Sequence, residues 1–401
     1  MEKQNNTTDN NKIPLPAFSR SEWGLCLLLA LCMFTVLVDG ISMMPLSPLV
    51  QADLGINAQM FGHLITAFAL PAGISGFIFA YMVFKFPRRI LFLLAFGGFF
   101  VGTLLCALAE SFLALIIARV IAGFFGGVLG GLCNATVGDV FPAQKRGRAM
   151  SIVSMGFASA SAFGVPLGLI LSNIQDWNLA FLNHYTGWPM PFLFLSAMIA
   201  VLWFALFLVF PRNISRVTAP QHFGKVILPL IFSRRTGNLN LLTLSLYIST
   251  FVLVPFYPSY LVFNVGFPQE QIYLLYLGGG LTCLFAMPLL GQLGDRLGKR
   301  RIFIGLSFLW FGITILFTHY QGQDILTWLF LFIGFMLFGA GRTPLAMAVI
   351  TDNIQLQERA SYMSVNASIV QISIAIGSSI GGILAGSAEG EAQPLLHFSY
   401  N

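Results

Sequence analysis

The chain has 401 residues, of which 57% are hydrophobic and only 9% are charged, and its formal net charge at pH 7 is +6. A soluble domain of this length could not bury so much apolar surface in one core, so the composition excludes an ordinary water-soluble protein. The five cysteines lie inside apolar stretches without the spacing of a metal or redox site. We therefore expect no metal and no cofactor.

The first residues of the chain are polar and rich in Asn and Thr, and they lack the apolar core and cleavage site of a secretory signal. We interpret residues 1–22 as a disordered cytoplasmic tail. Beyond them, apolar runs of about 20 residues recur, each long enough to cross a bilayer core of ~30 Å. Because backbone groups in lipid must hydrogen-bond internally, these runs are predicted to be helices.

Hydropathy and turn residues predict eleven membrane-spanning helices, numbered here 1 to 11 in chain order. Their predicted ranges are 23–47, 60–83, 89–109, 112–136, 149–172, 190–210, 239–263, 271–293, 302–319, 325–350 and 360–386.

Lysine and arginine residues outside these helices all fall in alternate loops. They are Lys3, Lys12, Arg20, Lys85, Arg88, Arg89, Lys145, Arg146, Arg148, Arg212, Arg216, Lys225, Arg234, Arg235, Arg296, Lys299, Arg300, Arg301 and Arg359. The other loops carry acids, such as Asp53, Glu110 and Asp324, but no lysine or arginine. The positive-inside rule then places the N-terminus in the cytoplasm, and we expect a multi-pass protein of the bacterial inner membrane. Because topology accounts for the positive charge, we expect no nucleic-acid partner.

An internal repeat is visible as an offset of 213 positions. Asp139 and Asp352 are separated by this distance, and so are Arg146 and Arg359. The repeat predicts two similar halves, residues 23–211 and 239–401, joined by a cytoplasmic linker at 212–238. The first half continues into a sixth helix, whereas the chain stops at Asn401 before a twelfth. We expect truncation rather than a natural eleven-helix protein.

The loop between helices 8 and 9 carries the most specific motif. It reads Gly291-Gln-Leu-Gly-Asp295-Arg296-Leu-Gly298-Lys299-Arg300-Arg301, which resembles the loop signature of the major facilitator superfamily. The first-half copy, residues 80–89, has lost both glycines and has Phe84 at the position of the acid. The resemblance implies a gating role for Asp295, Arg296 and Arg300, and the alternative is a turn that only sets topology. A bracing role at the same inner gate is expected for Asp139 with Arg146 and for Asp352 with Arg359.

Two helices also resemble the superfamily. Helix 4 contains Arg119-Val-Ile-Ala-Gly123-Phe-Phe-Gly126, and helix 5 contains Gly164-Val-Pro166-Leu-Gly168, similar to proton-coupled drug and sugar exporters of the arabinose-efflux-permease type. The resemblance implies an all-α membrane protein of the major-facilitator fold, with two pseudo-symmetric six-helix bundles of which the twelfth helix is absent here. It also implies a transporter rather than an enzyme.

The glycines of helices 4 and 5 have more than one interpretation. Those of helix 4 permit either close helix packing or a smooth cavity wall, and we favour packing. In helix 5, Gly164, Pro166 and Gly168 permit bending during a rocking motion, and a static kink is the alternative.

Only three strongly charged residues lie within apolar runs, namely Asp39, Arg119 and Arg342. At ~1.5 Å per residue, Asp39 and Arg119 have matching depths and are expected to face one another across a cavity in the first half. The resemblance associates such a pair with proton coupling, so we hypothesise that Asp39 carries the proton and Arg119 modulates it. The alternative is a fixed structural ion pair. Arg342 is interpreted as snorkelling to the inner interface.

A substrate site is expected between the halves, near the middle of the membrane. The candidate residues are Tyr247, Tyr257, Tyr260, Asn366 and Gln371. Such a cavity is aromatic and mildly polar, which favours neutral or weakly ionic solutes. The expected function is proton-coupled efflux of a small organic solute, a drug, sugar or metabolite, by a monomer. The alternatives are proton-coupled import and a receptor that does not transport.

Overall fold

The computed structural model describes residues 18–174, 186–211, 229–355 and 358–386. Within these ranges the chain is helical without strands, and eleven helices are long and apolar enough to cross a membrane. The predicted all-α membrane class and the eleven spans are confirmed. Most of the predicted tail, most of the predicted linker and the segment after residue 386 lie outside the described residues.

We number the spans α1 to α11 in chain order, as in the predicted series. Their bounds are Arg20–Ser42, Ala58–Lys85, Arg88–Ala107, Phe112–Val140, Gln144–Asn173, Pro189–Val209, Arg234–Val265, Gln269–Leu297, Lys299–His319, Ile325–Asp352 and Arg359–Ala385.

Several spans begin where a side chain accepts a hydrogen bond from the first helical turn. Ser19 forms a capping box with Glu22 before α1, and Asn57, Ser111, Ser233 and Asp324 cap α2, α4, α7 and α10. The amide and the hydroxyl of Thr327 donate to Asp324 and hold the pKa of that carboxyl below its usual value. These caps satisfy backbone amides that a helix leaves unpaired at its start.

The predicted first helix is too long at its C-terminal end. It ends at Ser42, and a turn leads into a separate short helix, Ser47–Leu54. Pro45 and Pro48 explain the break, because a proline has no amide hydrogen to continue the helical ladder.

Contacts between spans repeat from one half to the other. In the first half α1 packs on α5, α2 on α4 and α3 on α4, and in the second half α7 packs on α11, α8 on α10 and α9 on α10. The halves meet through α2 against α11 and α5 against α8. In the repeat, α2 corresponds to α8 and α5 corresponds to α11, so each of these two contacts is the counterpart of the other. The bundles are therefore related as the parallel repeat predicted.

Glycines let α4 approach its neighbours closely. A methyl group added at Gly127 would lie 2.5 Å from the Cα atom of Ala72, and one added at Gly123 would overlap the backbone of Phe68. These contacts confirm the packing interpretation on the α2 side. By contrast, a methyl group added at Gly131 would have no atom of another described helix within 4 Å.

The two faces of the protein differ in how the halves meet. We call the face at which α1 begins the basic face, because Arg88, Lys145 and Lys299 lie there, and the other the opposite face. At the opposite face, buried residues of both halves form one apolar cluster, in which the rings of Phe61 and Phe256 are 6.4 Å apart. Toward the basic face, the buried apolar residues form two separate clusters, one for each half. One apolar cluster therefore closes the halves at the opposite face, and toward the basic face they stay in contact through α2 and α11, where a methyl group added at Gly76 would lie 2.6 Å from Ser368 Oγ.

Candidate functional site

Asp39 and Arg119 form an ion pair inside the first half. Nη1 of Arg119 lies 2.7 Å from Oδ1 of Asp39, and the hydroxyl of Thr103 donates to Oδ2 at 2.5 Å. Both side chains are fully enclosed, with 0% and 1% exposure for Asp39 and Arg119. Because each charge neutralises the other, the pair escapes much of the cost of burying a single ion in a membrane.

The arginine of this pair is also held by an aromatic ring. Its guanidinium carbon lies 4.3 Å from the centre of the Phe68 ring, whose backbone is the one that Gly123 approaches. Nε of Arg119 has no hydrogen-bond partner among the described residues. The pair thus joins α1, α3 and α4, and its arginine rests on α2.

The expectation that these residues face one another across a cavity is wrong for this conformation. They are in direct contact, and neither is exposed. Small residues bring the helices together around the pair: a methyl group on Gly102 of α3 would overlap the backbone of Ala122 in α4. The depth argument matched the two residues correctly but could not give the spacing between the helices.

The acids at the basic face have partners other than the predicted ones. Asp139 pairs with Nε of Arg88 at 2.8 Å, and Asp352 pairs with Nζ of Lys299 at 2.6 Å. The expected pairs with Arg146 and Arg359 are not formed. Each observed pair joins the first residue of the third span of a half to the last turn of its fourth span.

Arg146 and Arg359 bind backbone carbonyls instead. Arg146 donates to Phe141 O at 2.9 Å, and Arg359 donates to Thr351 O at 3.1 Å. These carbonyls lie at the C-terminal ends of α4 and α10, where unpaired oxygens and the helix dipole favour a cation. Both the ion pair and the arginine–carbonyl contact therefore occur in each half. The offset of 213 positions identified the two acids and the two arginines, but it did not relate Arg88 to Lys299.

Three predicted gating residues have no such contacts. Asp295, Arg296 and Arg300 are exposed, and no ion pair holds them within the described part of the chain. Their predicted gating role stays a prediction.

The ion pair of Lys299 and Asp352, whose side chains are 29% and 59% exposed, predicts a small effect on stability. Lys299→Ala is expected to leave the midpoint of thermal unfolding unchanged, because an ion pair in water gains little over its solvated charges. Arg88→Ala should lower the midpoint more, since the Arg88 side chain is only 10% exposed. Unfolding of the purified variants in one detergent measures both, and a larger loss for Lys299→Ala would contradict this ranking.

Two of the tyrosines expected in the substrate cavity lie elsewhere. The Tyr257 ring is enclosed by Phe317 and Phe335, each 4.6 Å away between ring centres. The Tyr260 hydroxyl donates to Thr318 O at 2.7 Å. Both side chains are buried against α9, so the expectation that they line a cavity is corrected.

The remaining cavity candidates have mixed surroundings. Asn366 of α11 is buried, accepts a hydrogen bond from Thr243 of α7 at 2.8 Å and donates to Met347 of α10. Tyr247 is half-buried and stacks on Phe251. Gln371 is half-buried beside Gly73 at the contact between α2 and α11. Tyr247 and Gln371 stay as candidates for a surface that a solute contacts.

Arg342 does not snorkel. It is 5% exposed, its guanidinium carbon lies 3.9 Å from the centre of the Trp310 ring, and Nη2 donates to Thr250 Oγ1 at 3.2 Å. A cation–π contact and a hydroxyl acceptor thus hold this charge between α7, α9 and α10. Hydropathy cannot reveal such partners, because they come from other helices.

A polar contact between the halves was missed by sequence reasoning. The amide of Gln51 donates to Ser259 Oγ at 2.6 Å, and Ser259 donates to Ser47 Oγ at 2.8 Å. All three side chains are buried at the opposite face. We call these three residues the opposite-face latch. Its members are polar residues in apolar surroundings, but no pattern in the sequence indicates that Ser47 and Gln51 contact Ser259.

The fold and this site can be compared with known proteins. A family model described as the Major Facilitator Superfamily matches residues 29–237 and 239–392. The chain belongs to the Major Facilitator Superfamily. It is therefore a membrane transporter, and the expectation that it is not an enzyme is confirmed.

Relatives in the superfamily include two uncharacterized transporters of Bacillus subtilis strain 168. YhcA is 25% identical over 388 residues, covering 83% of this chain and 71% of its own length. YtbD is 25% identical over 384 residues, covering 95% and 91%.

Solved structures of superfamily transporters share the fold. A bacterial homologue of the human lysosomal transporter Spinster, in an inward-facing and unoccupied conformation, aligns with a TM-score of 0.77 at 17% identity, over 92% of this chain and 83% of that one. The nucleoside transporter NupG aligns with a TM-score of 0.72 at 12% identity, over 95% and 94%. A D-xylose–proton symporter aligns with a TM-score of 0.66 at 14% identity, over 91% and 89%. At these identities the likeness concerns the fold alone.

Proposed function

We propose that this transporter exports a small organic solute, a drug, sugar or metabolite, in exchange for protons by alternating access. The observation that carries the proposal is the fully buried pair of Asp39 and Arg119, a titratable carboxylate facing a single cation inside the bilayer. Intramembrane ionisable residues usually mark an ion or substrate pathway. In this proposal the protein acts as a monomer in the bacterial inner membrane, with the basic face and the N-terminus in the cytoplasm.

The closed opposite face supports a cytoplasm-open state in this cycle. Asp39 has no exposure here, so the proton must reach it in a different conformation, after Arg119 has moved away. Removal of a cation from beside a carboxylate strengthens proton binding by that carboxylate. Coupling follows if solute binding and protonation favour opposite positions of α1 and α4.

Proton-coupled import is the second candidate, and the D-xylose–proton symporter among the proteins that share this fold supports it. The form Gly164-Val-Pro166-Leu-Gly168 resembles exporters and favours the first candidate. The sign of coupling separates the two, because an exporter moves solute and protons in opposite directions.

Flux measurement in liposomes tests the proposal. The purified protein is reconstituted with a trapped pH dye, a pH gradient is imposed, and radiolabelled sugars, nucleosides and lipophilic drugs that raise its unfolding temperature are supplied one at a time. We expect at least one solute to move against the proton flow, and a protonophore to abolish its uphill movement. Uphill movement with the proton flow would favour import, and binding without flux would overturn both candidates.

The opposite-face latch provides a test of alternating access. Gln51→Ala removes one buried hydrogen bond between the halves, worth about 0.5–1.5 kcal/mol, and should raise the population open at the opposite face about 2- to 10-fold. Spin-label distances between the short helix Ser47–Leu54 and α7 report that population. Ser245→Ala serves as the control, because the Ser245 hydroxyl bonds only to carbonyls of its own helix. Equal distance distributions in Gln51→Ala and the unsubstituted protein would contradict the role of the latch.

A further inference from the structure

The two contacts between the halves differ in how far they extend across the membrane. Along α2 and α11 the contact begins near the opposite face, where a methyl group added at Gly62 would lie 2.7 Å from Ser378 O. It continues toward the basic face, where one added at Gly76 would lie 2.6 Å from Ser368 Oγ. Along α5 and α8 the contact is made chiefly by residues 160–173 of α5, the part of that span near the opposite face. This second contact therefore ends about halfway along α5.

The sides of α5 and α8 that touch near the opposite face separate toward the basic face. A methyl group added at Gly280 of α8 would lie 2.9 Å from the Cα atom of Ala162 in α5. Seven residues make about two helical turns and return to the same side of a helix. On α5 this step leads from Ala162 to Met155, which is 66% exposed. On α8 it leads to Met287, which is half-buried, and a methyl group added one turn beyond, at Gly291, would have no atom of another described helix within 4 Å.

The internal repeat explains why the two contacts differ. With the offset of 213 positions, Met155 of α5 corresponds to Ser368 of α11, which is only 3% exposed. The loop motif after α8 follows its first-half copy by 211 positions, so Met287 corresponds to Gly76 of α2. Small residues such as glycine and serine let two membrane helices touch, whereas the long side chains of two methionines hold helices further apart. The two methionines thus stand between α5 and α8 at the level where α2 and α11 meet.

This separation lies inside the bilayer. Met155 is about ten residues from Gln144 at the start of α5, and Met287 is about ten residues from Leu297 at the end of α8. Both are therefore roughly 15 Å from the basic-face ends of spans that are about 45 Å long. Because the central ~30 Å of such a span lies among hydrocarbon chains, a gap between α5 and α8 at this depth faces the lipid chains of the leaflet at the basic face.

The residues at this gap suit a molecule that dissolves in lipid. Methionine is flexible and polarizable, so Met155 can adapt to apolar ligands of different shapes. Ser154 lies two turns before Ser161, whose carbonyl touches α8, and it is exposed. Its hydroxyl bonds to no residue that the structure describes, whereas Ser151 and Ser159 donate to carbonyls of their own helix. Ser154 therefore offers a hydrogen bond to one polar group of an otherwise apolar molecule.

We propose that the solute enters the cleft between the halves sideways, from the leaflet at the basic face, through a lateral portal between α5 and α8 lined by Met155, Met287 and Ser154. The proposal rests on the proposed transport function and narrows its solute to an amphiphile with an apolar body and one hydrogen-bonding group. A sugar stays in water and does not reach this entrance. The contact of α2 with α11 closes the other side of the molecule at the same depth.

Fluorescence quenching tests the route of entry without requiring transport. A bimane label is attached to Met287→Cys in the full chain in phosphatidylcholine nanodiscs, since all five native cysteines are buried. Two nitroxide quenchers are compared, a methyl stearate with a mid-chain nitroxide, which partitions into the bilayer, and a trimethylammonium nitroxide, which stays in water. We expect the lipid-soluble nitroxide to quench the label several-fold more than the water-soluble one. The same label at Met155→Cys should give the same order.

A bulky residue inside the lateral portal provides the matched comparison. Gly291→Trp fills the space one turn from the label and should reduce quenching by the lipid-soluble nitroxide several-fold. Gly305→Trp on α9 is the control, because Gly305 has equally open surroundings among the described helices and lies about as far from the basic face; it should leave quenching unchanged. Quenching by the water-soluble nitroxide alone would place the entrance in water and overturn the proposal. The absence of quenching by either would show that α5 and α8 are sealed, and would overturn it as well.

The flux measurement in liposomes tests the class of solute separately. Lipophilic drugs should be transported and sugars should not, so proton-coupled transport of a sugar would overturn the amphiphile assignment and leave proton exchange intact. Loss of lipid quenching with proton-coupled flux retained would overturn the lateral portal alone. Lipid quenching without flux of any solute would instead overturn the proposed function.

Discussion

Asp39→Asn is expected to abolish proton-coupled transport, because an amide cannot take up and release a proton at this position. The substitution also leaves Arg119 as an unpaired cation in the bilayer, and breaking a buried ion pair in this way costs about 3–5 kcal/mol. The amide oxygen still accepts a hydrogen bond from Thr103 or Arg119, so the loss of stability should lie toward the lower end. Flux in liposomes and the unfolding midpoint of the same preparation measure the two effects.

A double substitution separates the proton carrier from a fixed structural pair. Asp39→Asn combined with Arg119→Gln removes both charges and should recover much of the lost stability. If Asp39 carries the proton, the stabilised double variant remains uncoupled. If the pair is only structural, proton-driven transport returns with stability, and the proton-carrier role is rejected. Asp53→Asn is the control, since Asp53 accepts a hydrogen bond from Trp188 at the opposite face and should keep coupling.

Gly123→Ala is expected to lower stability by about 1–3 kcal/mol, the usual cost of overpacking a well-packed interior. The added methyl group would overlap the backbone of Phe68, which cannot move without displacing α2. That displacement would also shift the Phe68 ring on which Arg119 rests, so transport should fall together with stability.

Gly131→Ala provides the matched control on the same span. The added methyl group would have no neighbour within 4 Å among the other helices that the structure describes, and alanine favours a helix over glycine by about 1 kcal/mol. This variant should therefore be as stable as the unsubstituted protein or more so. The unfolding midpoints of both variants in one detergent test this comparison. An equal loss of stability in the two would show that the loss in Gly123→Ala does not come from close packing against α2.

Much of the architecture could be predicted because a bilayer imposes strict rules on a chain. Length and hydropathy gave the number of spans, and alternating charged loops gave their relative directions. The matching depths of Asp39 and Arg119 followed from the rise of a helix along the membrane normal. Hydropathy locates a residue along the membrane normal, and the direct contact between Asp39 and Arg119 agrees with their predicted equal depth.

The rotation of each helix about its own axis could not be predicted, and most of the errors arise there. Arg342 turns toward Trp310, Asp139 turns toward Arg88, and neither partner is encoded near it in the sequence. Tyr257 and Tyr260 add a second cause. Pro255 and Pro258 accompany a 3-10 turn and a π-helical turn in α7, so the periodicity that includes Tyr247 does not continue to them.

The apolar cluster that joins the halves at the opposite face has a thermal consequence. Opening this side would wet side chains such as Phe61 and Phe256, so the transition carries a positive heat-capacity change. The free energy that holds this side shut then weakens on cooling, whereas ion pairs at the other surface depend chiefly on salt. Temperature and ionic strength thus act on different ends of the molecule. An organism that lives in the cold would need a larger apolar cluster at the opposite face to keep the same ratio of closed to open conformations.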